Sequence, residues 1–287
     1  MTVVELIERV SARLDQAGVS FGHGTTQAFD EAAWLVLWAL KHPLDALDDV
    51  ASHEVAAAQT ERVWRLVEQR VQTRLPTAYL TGEAWLQGLA FDVDPRVIIP
   101  RSLIAEVIAD GTVDPWLSGQ TQRVLDLCTG NGSLAVLAAL AWPQVQVWAS
   151  DLSADALAVA ARNVQRHELT ARIELLQGDG LSACSGAYDL ILCNPPYVNR
   201  ASMAALPPEY RAEPALALDG GDDGMDFIRV LLSQVCDSLT LEGVLVLEIG
   251  NEREHFEAAF PHLEPVWLPT SAGDDQVLLL TRQALNP

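Results

Sequence analysis

Asn194-Pro195-Pro196-Tyr197 follows an apolar run at 190–193 and combines groups suited to gripping a flat amine. Consecutive prolines supply no amide donors and stiffen the chain, while their carbonyls stay free to accept. The Asn194 side chain adds another acceptor and Tyr197 an aromatic face. Both hydrogens of a planar NH2 group can then be bound while its flat neighbour stacks on the ring. Upstream, Asp126-Leu127-Cys128-Thr129-Gly130-Asn131-Gly132-Ser133 joins a short apolar strand to a helical stretch. Gly130 and Gly132 allow a sharp turn and close approach of a ligand to the backbone, and a helix start turns partial positive charge towards it. Asp151-Leu152 ends the second strand and Asp179-Gly180 follows the third. An acid at the end of the second strand suits the two hydroxyls of a ribose. These positions predict a nucleoside-containing cofactor.

Two cofactor classes fit the glycine pattern. Gly130-x-Gly132-x-x-Ala135 matches a dinucleotide fingerprint, which would make the chain a nicotinamide dehydrogenase. Asp126 and Asp179 favour S-adenosyl-L-methionine instead, because its amino-acid end needs polar contacts near the first strand and its adenine amino group needs an acceptor. The diproline motif on the fourth strand decides for the second, since it supplies a place for the nitrogen that would receive a methyl group. No metal is implied. The six histidines are dispersed, and Asp219-Gly220-Gly221-Asp222-Asp223-Gly224 lacks the spacing and terminal glutamate of a calcium loop, so a turn or lid is expected there. Arg101 is expected either in an ordinary ion pair or near the substrate entrance, and Glu213-Pro214 is expected to shape either the pocket or a turn.

Elements that position these residues follow from periodicity. The first ~75 residues read as helical, with Val3, Val4, Leu6, Ile7, Val10 and Leu14 recurring at helical spacing and further apolar stretches at 28–40 and 55–71. Residues 85–93 read as two short strands around Gly88, and Pro95 and Pro100 punctuate their end. From 124 onward strands alternate with helices: strands at 124–127, 145–149, 173–176, 190–193 and 243–249, helices at 134–141, 154–167 and 227–239, and a closing hairpin at 265–268 and 276–280. The expected fold class is α/β, a parallel doubly wound sheet with ligands at the carboxyl ends of its strands. The expected division is a helical domain over 1–75, a β-hairpin linker over 76–100 and a catalytic domain over 101–287.

The 287 residues are 49% apolar and 20% charged, a balance that predicts a sizeable core. Eighteen basic side chains, of which Lys41 is the one lysine, stand against 39 acidic ones for a net charge of −21. Such a surface repels phosphate backbones and anionic lipid, so no stable nucleic-acid or membrane binding is expected, and a basic protein or a small molecule is the better partner. The amino terminus lacks a signal-peptide layout and Cys128, Cys184, Cys193 and Cys236 show no pairing pattern, which predicts reduced thiols and a cytoplasmic setting.

The pairing of residues 126–132 with Asn194-Pro195-Pro196-Tyr197 resembles the class I S-adenosylmethionine-dependent methyltransferases that modify planar amino nitrogens. Within them the whole chain resembles the protein-glutamine N5-methyltransferases, the HemK group. The segments at 79–85, Ile99-Pro100-Arg101-Ser102, 206–218 and Glu248-Ile249-Gly250-Asn251 look like the branch acting on the large-subunit ribosomal protein uL3. The release-factor branch reads Arg-Pro-x-Thr-Glu where this chain has Arg101-Ser102-Leu103-Ile104-Ala105. The resemblance implies a Rossmann-like, mostly parallel seven-stranded sheet. It implies that Asp126 and Cys128, Thr129, Gly130, Asn131 and Gly132 wrap the methionine part of the cofactor, Asp151 with Leu152 holds the ribose, and Asp179 with Gly180 borders the adenine. It further implies that Asn194, which also borders the cofactor, and the Pro195 carbonyl bind the glutamine amide, with Pro196 and Tyr197 packing against it. The activity it implies is glutamine methylation of a basic ribosomal protein. Methylation of release factors, adenine-N6 methylation of nucleic acid and a noncatalytic role in ribosome assembly are the alternatives.

Overall fold

The computed structural model describes residues 1–285. Helix α1 (Val3–Ala17) starts at a reciprocal cap in which the Thr2 hydroxyl accepts from Glu5 N and the Glu5 carboxylate accepts from Thr2 N. Its apolar stripe of Val3, Leu6, Ile7, Val10 and Leu14 is buried, each such side chain contributing roughly 1.5–3 kcal/mol. The stripe packs with α2 (Ala28–Leu40), α3 (Leu47–Val50) and α4 (Ala57–Thr73) around Leu35, Leu37, Val63 and Val67. A short helix α5 (Thr77–Thr81) then leads into the hairpin of β1 (Glu83–Leu86) and β2 (Leu89–Asp92). Gln87 and Gly88 both have positive φ, 50° and 74°, as a two-residue hairpin turn of matching twist requires. Helix α5 lies inside the stretch expected as hairpin alone; Pro76 caps it and Gly82 ends it in the left-handed region.

After α6 (Ile104–Ala109) the alternating part begins with β3 (Arg123–Leu127), α7 (Ser133–Ala141), β4 (Gln146–Asp151), α8 (Ala154–Arg166), β5 (Ile173–Gln177) and β6 (Tyr188–Cys193). It continues through α9 (Arg200–Ala205), α10 (Asp226–Gln234), β7 (Leu239–Glu248), α11 (Arg253–Ala259), β8 (Val266–Thr270), β9 (Gly273–Thr281) and α12 (Arg282–Leu285). The seven-stranded sheet has the order β5-β4-β3-β6-β7-β9-β8, with β9 antiparallel to both of its neighbours and the other pairs parallel. Alternate residues feed cores on opposite faces: Leu190 and Leu192 pack with α6 and α7, Ile191 and Cys193 with α10 and α11. The class I methyltransferase architecture expected from the sequence, with a helical amino-terminal part, is the one observed.

The chain runs outward from β3 to β5 and then returns to place β6 against β3. That reversal opens a crevice at the carboxyl ends of the two central strands. Leu127 pairs with Cys193 and also with Ser150, so Cys128, Asn194 and Asp151 leave the sheet at one edge. The helix expected over 227–239 stops earlier. A 3₁₀ turn over Val235–Ser238 follows α10, and Leu239 already pairs with Tyr188. The register then shifts between Tyr188 and Leu190, where a Cβ on Gly243 would lie 2.7 Å from the Tyr188 carbonyl oxygen. Gly243 therefore marks a bulge inside a strand and not its start. Among the described residues no helix is long and apolar enough to cross a membrane.

Candidate active site

A cavity of about 520 Å³ opens at the carboxyl edge of the sheet. One lobe is walled by residues 128–131, 150–153 and 178–180 with Phe227, the other by 99–103, 194–198, Leu206, Tyr210, Pro214, Leu216, Glu248 and Gln276. Cys128, Thr129, Gly130, Asn131, Asp151, Leu152, Asp179, Gly180, Asn194, Pro195, Pro196 and Tyr197 all line this one space. Asp126 and Gly132 do not.

The loop after β3 shows why these two lie apart. Cys128, Gly130 and Gly132 take left-handed φ values of 61°, 56° and 81°. The fully buried Asp126 works from beneath: its Oδ2 accepts from Thr129 Oγ1 at 2.5 Å and from Ala135 N at 2.9 Å. A Cβ on Gly132 would come within 3.1 Å of the Ala160 Cβ, so its missing side chain lets α8 approach the loop. Burial pushes the Asp126 carboxyl up to about 7, against the two hydrogen bonds that pull it down. Burial also raises Asp151, although that carboxylate accepts from Ser153 N and Gly130 N, each at 2.9 Å.

This bonding separates the two cofactor classes. A pyrophosphate at a Gly-rich loop needs free amides, yet Gly130 N is taken by Asp151, Ser133 N by Asn131 and Ala135 N by Asp126. With two carboxylates and one side-chain carbonyl already on those amides, the loop is unsuited to a dinucleotide. It suits a ligand that brings hydroxyls and a cationic amino group. Asn131, which lines the cavity, has its Nδ2 buried without a protein partner, which leaves donor capacity unspent at the loop. Leu152 and Phe227 add apolar surface for a flat base. The residues present therefore fit S-adenosylmethionine.

In the second lobe, the half-buried Asn194 side chain has no protein hydrogen-bond partner among the described residues, so its acceptor is free. Tyr197 is tightly held. Its hydroxyl donates to Glu248 Oε1 at 3.1 Å, and a Cβ on Gly250 would lie 2.5 Å from its ring. Glu248 Oε2 accepts from Ser102 Oγ at 2.5 Å and from Leu103 N at 2.9 Å, tying the segment after Pro100 to the same tyrosine. Burial raises both the Glu248 carboxyl and the Tyr197 phenol, the latter further because the Glu248 carboxylate faces it.

Arg101 lines this lobe and forms a two-pronged pair with Glu213, at 2.6 and 2.7 Å. Glu213 Oε1 also accepts from Ile99 N at 2.9 Å, and His23 Nε2 stands 3.5 Å from its Oε2. Burial opposes the charge on Glu213, but His23 and Arg101 outweigh it and hold the carboxyl down to about 2. Glu248, Ser102 and Tyr210 were not among the expected site residues. An acid closing an apolar strand at the ligand-binding edge was the available signal for Glu248.

Comparison with known proteins gives three results. The profile of the methyltransferase small domain matches residues 112–206. The chain is similar over 99% of its length to a ribosomal protein uL3 glutamine methyltransferase of Bordetella pertussis, with 55% identity and 96% of that protein covered. Proteins of the same name from Burkholderia pseudomallei (50% identity, 97% of this chain and 94% of that one) and Neisseria gonorrhoeae (44%, 99% and 95%) are likewise similar. Among solved structures, a methyltransferase from Pyrococcus furiosus overlaps 78% of this chain and 98% of its own at 17% identity and a TM-score of 0.50. The hMettl16 catalytic domain in complex with MAT2A 3'UTR hairpin 6 overlaps 78% and 81% at 13% identity and 0.52. These structural likenesses concern the fold.

Proposed function

Because the chain belongs to the ribosomal protein uL3 glutamine methyltransferases, we infer that it methylates the side-chain amide nitrogen of a glutamine in uL3. The observation that carries this reading is the shared cavity: an acceptor corner at Asn194 and Pro195 opens into the same space as a loop that fits S-adenosylmethionine. When bound, the cofactor supplies an electrophilic methyl group.

The roles we assign to the chain's own residues follow from the chemistry of a carboxamide. Its nitrogen is a poor nucleophile because the lone pair is delocalised into the carbonyl. Asn194 and the Pro195 carbonyl accept the two N–H bonds, which enriches the nitrogen and fixes the direction of its lone pair. Alignment of this kind contributes up to ~7–11 kcal/mol in the best intramolecular cases, and fixed acceptors also stabilise positive charge growing on nitrogen. Tyr197, braced by Glu248 and Gly250, holds the plane of the amide. The methylated nitrogen, now acidic, loses its proton to water after transfer, so no dedicated base is required. Asp151 and Asp179 take the hydroxyl and base ends of the nucleoside, and residues 128–131 take its amino-acid end. Asp126 and Gly132 act through the loop, the first by bracing it and the second by letting α8 pack. We assign cofactor and glutamine chiefly to residues 101–287, with Ile99 and Pro100 of the preceding segment also lining the substrate lobe, and the acidic surface suits a substrate rich in lysine and arginine.

The test is incubation of the full chain with labelled S-adenosylmethionine and undermethylated uL3, followed by peptide mapping. Label on one glutamine nitrogen is the expected result. Label on release factors alone, or on none of these proteins, overturns the reading.

A further inference from the structure

The segment after Tyr197 forms the outer wall of the second lobe. Its ends are pinned together, Val198 N donating to Leu218 O at 2.8 Å and Gly220 N to Val198 O at 3.0 Å. Between them, Leu206, Tyr210, Pro214 and Leu216 face the cavity. The body of this loop is fastened from behind by the helices of the amino-terminal part. Glu209 is fully buried, and its Oε1 accepts from Ser20 N at 3.1 Å, Arg70 Nη1 at 3.2 Å and Arg74 Nη1 at 3.3 Å. Arg70, 1% exposed, is itself fixed by Glu31 at 2.7 Å and by the Ser20 carbonyl at 2.9 Å.

From this clasp the contacts continue to the cavity. The next residue, Tyr210, packs against His23 with ring centroids 4.3 Å apart and planes tilted by 46°, and a Cβ on Gly22 would collide with its hydroxyl at 2.1 Å. The Arg101 guanidinium lies 5.3 Å from the Tyr210 ring centroid and is paired with Glu213 three residues further along. A buried ion cluster adds little net stability compared with an apolar core, because desolvation offsets the attraction, but its geometry is directional.

We propose that Glu209 is a positioning residue: by docking on Arg70 and Arg74 it lets the helical part fix the loop and, through Tyr210 and Glu213, the place of Arg101 in the substrate lobe. The proposal rests on the assignment of that lobe to the glutamine. The helices are then a component of the active site's architecture.

The test uses the full chain with Glu209→Gln, which removes the charge and keeps the shape. Expected are a drop of tenfold or more in kcat/KM towards uL3, carried mainly by KM, a cofactor Kd within twofold of the parent, and faster deuterium uptake confined to residues 199–218. Glu209→Gln combined with Glu213→Gln should be no more than about threefold worse than the weaker single variant. A kcat/KM within twofold of the parent, an equal loss of cofactor binding, or multiplicative effects in the double variant overturns the proposal. Should Glu209→Gln fail to fold, Arg74→Met removes the partly exposed member of the clasp. It should raise KM about threefold with cofactor affinity unchanged, and an unchanged KM overturns the proposal. Transfer by the parent tests the reaction itself, so failure of that assignment and failure of this one are separate results.

Discussion

A carboxamide held by its two hydrogens depends on acceptors fixed in place, and at the residue scale the acceptor role proposed for Asn194 predicts a selective effect. Asn194→Ala should lower kcat by about a thousandfold or more, as removal of a group acting mainly in the transition state does, with cofactor affinity by calorimetry within about threefold. Tyr197→Phe keeps the ring and loses one hydrogen bond to Glu248, worth about 0.5–1.5 kcal/mol, so a fall of roughly three- to tenfold in kcat is expected. Asp126 gives a pH signature. Between the ordinary carboxylate range and about 7 the unfolded chain has released this proton and the folded chain has kept it. Stability of the cofactor-free protein therefore falls as pH rises through that interval, and Asp126→Asn should flatten the slope in denaturation curves taken from pH 5 to 8. That the two motifs line one cavity was legible because each motif is contiguous. The groups that brace them were not: Ser102 meets Glu248 across 146 positions and Arg101 meets Glu213 across 112, and no local pattern encodes such pairings.

At the scale of elements, the turn after β7 is as demanding as the strand. Gly250 has φ of +54° and lies against the Tyr197 ring, so Gly250→Ala adds both backbone strain and a steric conflict. A loss of about 1–3 kcal/mol in denaturant unfolding is expected, with kcat falling more steeply than cofactor affinity because the displaced ring belongs to the substrate lobe. Strands and helices around the crevice were legible from period alone, since 124–127, apolar but for Asp126, and the apolar run 190–193 are each short and followed by turn residues. The boundary of α10 was not. Apolar residues at 235 and 239 continue a helical spacing, and the pairing of Leu239 with Tyr188 that overrides it comes from a strand fifty residues earlier. Helices α9 and α11 are too short to show a period, one resting on the Asn199 cap and the other on Phe256 alone as a buried anchor.

Over the whole molecule, many arginines are already committed to partners within the chain. Arg13, Arg70, Arg74, Arg101, Arg162, Arg166 and Arg229 are all paired with the chain's own carboxylates. The net charge of −21 is thus borne largely by acids without such partners. Attraction to a basic substrate should fade with screening, whose length is about 10 Å at 0.1 M salt. KM for uL3 should rise severalfold from about 0.05 to 0.5 M salt while cofactor Kd stays nearly constant, and a salt-independent KM would remove electrostatics from recognition. The continuity of the cavity from Asp179 to Gln276 has one more consequence. With no partition between the lobes, a single inhibitor that tethers an adenosyl group to a carboxamide can occupy both, and its potency gains from the effective concentration each half confers on the other.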